Sequence, residues 1–215
     1  MKTKVDEVDR NIYDFKNKDD YEFKMKKGLN KEIIEEISRQ KNDPDWMRKI
    51  RLDALAMYDK LKLPTWGPDL SELRMDDIAT YVKPKSKLNS SWDDVPEDIK
   101  NTFDKLGIPD AEKKSLGGVG AQYDSEVVYH SMKEDLLKQG VIYTDMETAG
   151  KEYPEVVKEY FMKCVPISEH KFVALHAAVW SGGSFVYVPK EVKVDIPLQS
   201  YFRLNSPESG QFEHT

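Results

Sequence analysis

The sequence predicts an α+β chain in which helices come first and short strands last. Three observations carry this. Through the first 165 or so residues, apolar positions recur at spacings of three and four and are bracketed by helix start and stop signals. After Pro166 the composition shifts: from Lys171 onward Val, Phe, Tyr, Ala and Ser dominate and acids become sparse. Within that region, short apolar runs are separated by gaps of three residues, "PKE" and "PLQ". Such gaps are too short for a helical crossover, so the strands form hairpins or the corners of a solenoid.

Taken in order, residues 1–27 read as a flexible, charged N-terminal arm. In "GLNKEIIEEISRQKN", Asn30 is placed to cap a helix whose apolar stripe is Ile33, Ile34 and Ile37. A second helix follows, with Asp43 as the expected cap and Pro44 in the first turn. Trp46, Met47, Ile50, Leu52, Leu55 and Tyr58 line it. "LPTWGPDL" stops it, since two prolines and a glycine do not continue a helix, and Trp66 is expected to pack beneath that loop. A polar connector leads to a short helix from Pro96, with Gly107 as its stop. "SEVVYHSMKEDLLKQG" predicts a further helix with Val127, Val128, Met132, Leu136 and Leu137 on one side, ended by Gly140. "VIYTD" predicts a strand and "METAGKEYPEVVKEYFMKCV" one or two helices. Three strands are expected last: "FVYV" (185–188), "VKVDI" (192–196) and "SYFRL" (200–204), with Val192, Val194 and Ile196 facing one way. The expected organisation is therefore an arm (1–27), a helical N-terminal domain (28–165) and a strand-rich region (166–215).

Composition bounds the function. The chain has 215 residues, 33% of them charged and 11% aromatic, so a core can form although the surface is polar. Net charge is −6, and the most basic run, "KMKK", is offset by the acids just before it, which argues against a nucleic-acid partner. A single cysteine, Cys164, rules out an internal disulfide and fits a reducing, cytoplasmic location. No window approaches the ~20 apolar residues of a membrane span, and the start lacks a signal-peptide run, so no membrane association is expected.

Two glycine clusters invite a nucleotide reading. "SLGGVGAQYDSE" lacks the Lys-Ser/Thr end of a phosphate loop, with Ala121-Gln122 in that place, and reads as a flexible loop between helices. "WSGGS" is followed by a strand, so no helix N-terminus faces it, and it reads as a tight corner. The histidines His130, His170, His176 and His214 show no spacing of three to five residues and none lies near Cys164 in sequence, so no metal site is expected. Cys164 ends an amphipathic stretch, where a buried, inert thiol is the simpler reading. Neither a Gly-x-Ser-x-Gly elbow nor a His-Glu-x-x-His motif is present, so an enzyme is not indicated.

Several longer strings together carry a family resemblance: "PTWGPDL" (64–70), "SWDDVPEDIKNTFDKLGIP" (91–109), "GVGAQYDSEVVYH" (118–130), "AVWSGGSFVYVPK" (178–190) and "IPLQSYFRLN…GQFEHT" (196–215). From about Gly28 onward the sequence resembles the SufB/SufD family of iron–sulfur cluster assembly scaffolds, and the second and third strings resemble its SufB branch. The resemblance implies a helical N-terminal domain followed by the first turns of a right-handed parallel β-helix, which the chain would begin without completing. It implies a non-catalytic scaffold within a SufBCD complex. The expected partners are SufD-like and SufC-like subunits, with ATPase activity in the SufC-like one, and a cysteine desulfurase with its sulfur-transfer protein, of SufS and SufE type. An iron–sulfur cluster belongs to the full-length family, whose ligand positions and SufC-binding region lie further along, so none is expected to assemble on this portion alone. The family's "YFRIN" stands here as "YFRLN", which makes Arg203 and Asn205 the cluster-assembly candidates; solvent-facing polar residues on a solenoid turn are the plainer reading of both. His214 stands where the family usually carries Arg, and His176 where Asn is usual. The alternative function is an interaction module that self-associates through an open β-helix rung.

Overall fold

The computed structural model describes residues 16, 20–106, 116–204 and 206–215. Among the described residues the architecture is α+β, with seven strands and seven α-helices. Of the charged arm expected over 1–27, Tyr21–Lys24 forms strand β1, which pairs antiparallel with β2 (Val82–Pro84). Helix α1 (Lys31–Lys41) starts as its sequence requires: the Asn30 side chain accepts from the Ile33 N–H at 3.0 Å. Its stop is Asn42 in the left-handed region (φ 50°), whose N–H returns to Arg39 and Ser38 carbonyls.

Helix α2 (Asp45–Lys60) departs from expectation at its start. Pro44 is the cap residue and makes no side-chain cap bond. Asp43 is instead drawn to Arg51, whose Nε donates to its Oδ2 at 2.7 Å. Arg51 is fully buried and faces the ring of Trp180 at 4.7 Å. Its Nη1 donates to the carbonyls of Ala178 (3.3 Å) and Trp180 (2.8 Å). A guanidinium there satisfies carbonyl groups left over at the end of helix α7 (Lys171–Val179) and suits the negative end of the helix dipole.

That helix α7 was not expected. It is apolar at all but Lys171 and His176, and Ala54 of α2 meets its alanine-rich face, so the two helices approach closely. With Ile33, Ile34 and Ile37 of α1 they enclose the largest core, each of those isoleucines contributing about 1.5–3 kcal/mol by leaving water. A second core lies under helix α3 (Glu97–Lys105), where Ile99 and Phe103 meet Val119, Ala121 and Val128.

The region expected to be a glycine loop and a helix over 115–140 is a β-hairpin. Strand β3 (Gly118–Tyr123) pairs antiparallel with β4 (Glu126–Met132), and only Glu134–Lys138 (α4) is helical. β3 is buried on both faces, and its glycines replace side chains that would not fit. A Cβ on Gly118 would lie 2.5 Å from the ring of Tyr143. Val127 and Val128 belong to a strand for which their branched side chains are suited.

Strand β5 (Ile142–Thr144) is as predicted, followed by helices α5 (Met146–Glu152) and α6 (Pro154–Tyr160). Of the three late strands, β6 (Phe185–Tyr187) pairs antiparallel with β5, and β7 (Leu198–Arg203) pairs parallel with β3. The stretch 192–196 is not a strand: it alternates in sequence but has no neighbour to bond with, and Ile196 is 37% exposed. The three-stranded sheet therefore runs β4-β3-β7. Parallel bridges also join Ala79 to Ser209 and Gly183 to His214, so the last described residues lie beside two earlier stretches.

Trp66, expected beneath its loop, is 70% exposed, with one face against the ring of His170 at 5.3 Å. Cys164, expected buried, is exposed, because the chain at 161–170 runs as turns rather than continuing α6.

Candidate functional site

Arg203, the described member of the cluster-assembly candidates, lies near the corner where β3, β7 and the Gly-Gly turn meet. Arg203 is the last residue of β7, in register with Tyr123 of β3, and only 9% exposed. The plainer expectation, an outward-facing polar residue, does not hold for it. Asn205 lies outside the described residues.

Beside Arg203 the β3–β4 turn, Asp124-Ser125, is enclosed: both residues are at most 1% exposed. Asp124 takes a left-handed conformation (φ 53°), and its N–H donates to the Arg203 carbonyl at 2.9 Å. Ser206 Oγ donates to Asp124 Oδ1 at 3.0 Å and accepts from Tyr21 OH at 2.9 Å. Ser125 is tied to β2 reciprocally, its N–H donating to the Val82 carbonyl and its Oγ accepting from the Val82 N–H.

Gln122 connects this turn to the "WSGGS" corner. Its Nε2 donates to the Asp124 carbonyl (3.0 Å) and its Oε1 accepts from the Gly183 N–H (2.8 Å). At Gly183 a Cβ would sit 2.1 Å from the His214 carbonyl oxygen, and φ is +91°, so only glycine fits. The expected tight corner is present.

Next to it is a buried charge cluster the sequence did not disclose. Lys41 is enclosed between Glu126 (2.8 Å) and Glu147 (2.7 Å), and Glu147 also accepts from the Gly182 N–H at 2.6 Å. Burial alone would favour the neutral amine of Lys41, but the two carboxylates outweigh it and hold its pKa above the ordinary value. Burial likewise opposes the Glu147 charge, yet Lys41 and the Gly182 N–H hold its pKa down to about 2. Burial and the Glu147 charge push Asp145 up. Tyr81, which donates to Glu126, is pushed up by burial and by that carboxylate.

The histidines behave differently from their sequence spacing. His176 and His214, 38 residues apart, meet with Nε2 and Nδ1 at 2.7 Å. Burial first, and then an electrostatic neighbour (the His176 ring for His214, the Arg51 guanidinium for His176), lowers both, His214 to about 4. Ring centroids 5.0 Å apart place the rings end to end, sharing one proton rather than converging on a common third point. His130 is lowered by burial to about 4, its ring edge against Tyr143. His170 Nδ1 accepts from the Phe172 N–H and caps α7. Among the described residues no group of three or more His, Cys, Asp or Glu side chains is arranged to hold a metal ion, and no helix is long and apolar enough to cross a membrane.

Missed by sequence reasoning were Gln122, Asp124, Ser206 and the Lys41–Glu147 cluster. An Asp-Ser pair between two runs rich in β-branched and aromatic residues was the available signal for the hairpin turn; nothing in spacing marks an ion pair 106 residues apart.

The arrangement is a buried polar corner that orients backbone and side chains where β3, β7 and the Gly-Gly turn meet. The sequence profile described as the SufBD protein N-terminal region matches residues 29–200, and the chain belongs to that family. It is 53% identical over all 215 residues to the iron–sulfur cluster assembly protein SufB of Bacillus subtilis, covering 46% of that protein. Over the same lengths it is 53% identical to an iron–sulfur cluster assembly SufBD family protein of Staphylococcus haemolyticus, and 52% to one of Staphylococcus aureus. The chain thus spans about half the length of the curated relatives it matches.

Proposed function

We propose that this chain is the N-terminal part of an iron–sulfur cluster assembly scaffold, acting in the cytoplasm within a SufBCD-type complex. The observation that carries this is identity above one half, over the whole chain, to proteins named for that role. In this reading the cluster is cargo, built from iron and from sulfide passed on by a desulfurase of SufS type and its SufE-type transfer protein. A SufC-like partner supplies ATP hydrolysis and a SufD-like partner completes the scaffold. The chain itself turns over no substrate.

The parallel pairing of β3 with β7, with the parallel bridges Ala79–Ser209 and Gly183–His214, supports reading 166–215 as the opening turns of a parallel β-helix. In such a solenoid each rung buries its apolar face only when the next one stacks on it. Arg203 then stands at the first turn of the scaffold, its carbonyl held by the enclosed corner.

The test is a chimera of the Bacillus subtilis SufB in which the matched portion is replaced by this chain, assayed anaerobically with its partners for cluster absorbance. The chimera is expected to form cluster, and the isolated 215-residue chain, given iron and sulfide, is expected to form none. A chimera that folds and binds its partners but yields no cluster overturns the proposal, as does a stable cluster on the isolated chain.

A further inference from the structure

We propose that Asp124 is a positioning residue for Arg203, a proposal that rests on the scaffold reading above. A hairpin turn ordinarily lies at the surface, where water satisfies its polar groups. Here Asp124 is fully buried, in a left-handed conformation that glycine would adopt at lower cost. What glycine could not supply is the carboxylate, and a buried carboxylate is tolerated only where hydrogen bonds replace its lost hydration.

Those bonds go to the end of β7 and just beyond it. The Asp124 N–H grips the Arg203 carbonyl, and Asp124 Oδ1 accepts from Ser206 Oγ. One residue therefore bonds to both Arg203 and Ser206, three positions apart in sequence. The grip is itself anchored. Gln122 holds the Asp124 carbonyl and reaches the Gly183 N–H, Ser125 is bonded to β2, and Tyr21 of β1 donates to Ser206. Arg203, buried at the end of β7, is thereby set against β3. Such support is what a preorganised site requires, since a shift of about 1 Å removes much of its effect.

The experiment uses the full-length chimera with its partners. Asp124→Asn, Ser206→Ala, Ser206→Thr, Arg203→Ala and the double variant Asp124→Asn/Arg203→Ala are compared for cluster formed, thermal midpoint and partner binding. Arg203→Ala is expected to abolish most assembly. Ser206→Ala is expected to lower it about ten-fold, the loss of one buried hydrogen bond, and Asp124→Asn, which keeps the acceptor oxygen but not the charge, by a smaller factor. Ser206→Thr, which keeps the hydroxyl, restores it, and the double variant loses no more than Arg203→Ala alone. If Asp124→Asn does not fold, the Ser206 pair carries the test. Full assembly by Asp124→Asn or Ser206→Ala, with Arg203→Ala impaired, overturns the positioning role and leaves the scaffold site standing. A double variant losing the product of the two single effects also overturns it, by showing Asp124 acting independently of Arg203. Full assembly by Arg203→Ala removes the site assignment itself.

Discussion

Lys41 shows how one residue can hold several elements at once. Its ammonium lies at the end of α1, between a carboxylate from β4 and one from α5, and the second of these also receives the Gly182 N–H. Removing such a charge leaves two carboxylates, Glu147 mostly buried and Glu126 about a quarter exposed, without their cation, a cost of up to about 3–5 kcal/mol for a broken buried pair. Lys41→Met is therefore expected to lower the urea unfolding midpoint sharply. Adding Glu126→Gln and Glu147→Gln to it is expected to recover a large part of the loss, because neither carboxylate is then left without its cation. A Lys41→Met variant as stable as the parent would show that the cluster opens to solvent. Nothing about Lys41 in the sequence distinguishes it from the other lysines; only the fold brings Glu147 to it.

Helices and strands were legible to different degrees, for identifiable reasons. Helices α1 and α2 announce themselves because one face is apolar and the other charged, as at Ile33, Ile34 and Ile37. Helix α7 is apolar at all but Lys171 and His176, with Ala174, Leu175, Ala177, Ala178 and Val179 buried, so it has no broad polar face to set a period. Strand β3 was hidden for the opposite reason: two of its inward positions are glycines, so the ring of Tyr143 supplies what its own side chains would. This packing makes a prediction at the level of the strand. Gly118→Val, conservative by strand propensity, is expected to disrupt the β4-β3-β7 sheet, and Gly118→Val with Tyr143→Ala to restore part of the stability by making room. A chemical-denaturation series on the four proteins checks it. An undisturbed single variant would mean the Tyr143 ring moves aside freely. The candidate site was half legible: Arg203 was readable through its motif, whereas the buried turn beside it read as the end of a glycine loop running into a helix.

For the molecule as a whole, acid is the condition that acts on many parts together. His130 and His214 are held near 4 and His176 below its ordinary value, so folded protein resists protons that unfolded protein binds below about 6.5. Their contribution is fully present above that value and is lost as pH falls toward 4. Glu147, held to about 2, adds a second loss as pH falls from about 4.5 toward 2. Stability is thus expected to decline in two stages on acidification, the first centred on the histidines. The midpoint of thermal unfolding should fall between pH 7 and pH 4, and His214→Asn should flatten that first stage. A midpoint insensitive to pH over this range would mean that these imidazoles are reached by solvent.

The parallel register of β3 and β7 has a consequence for synthesis. Gly118 finds its partner at Leu198, 80 residues later, whereas β4 is available as soon as the hairpin turn has formed. At about 5–20 residues per second, a ribosome takes roughly 4–16 s to cover that distance. During that interval the nascent hairpin has one edge complete and the other bare, with the Asp124 N–H waiting for a carbonyl not yet made. A chaperone that shields hairpin edges during translation would act on this protein in that window and have no purchase once residue 203 has emerged and paired.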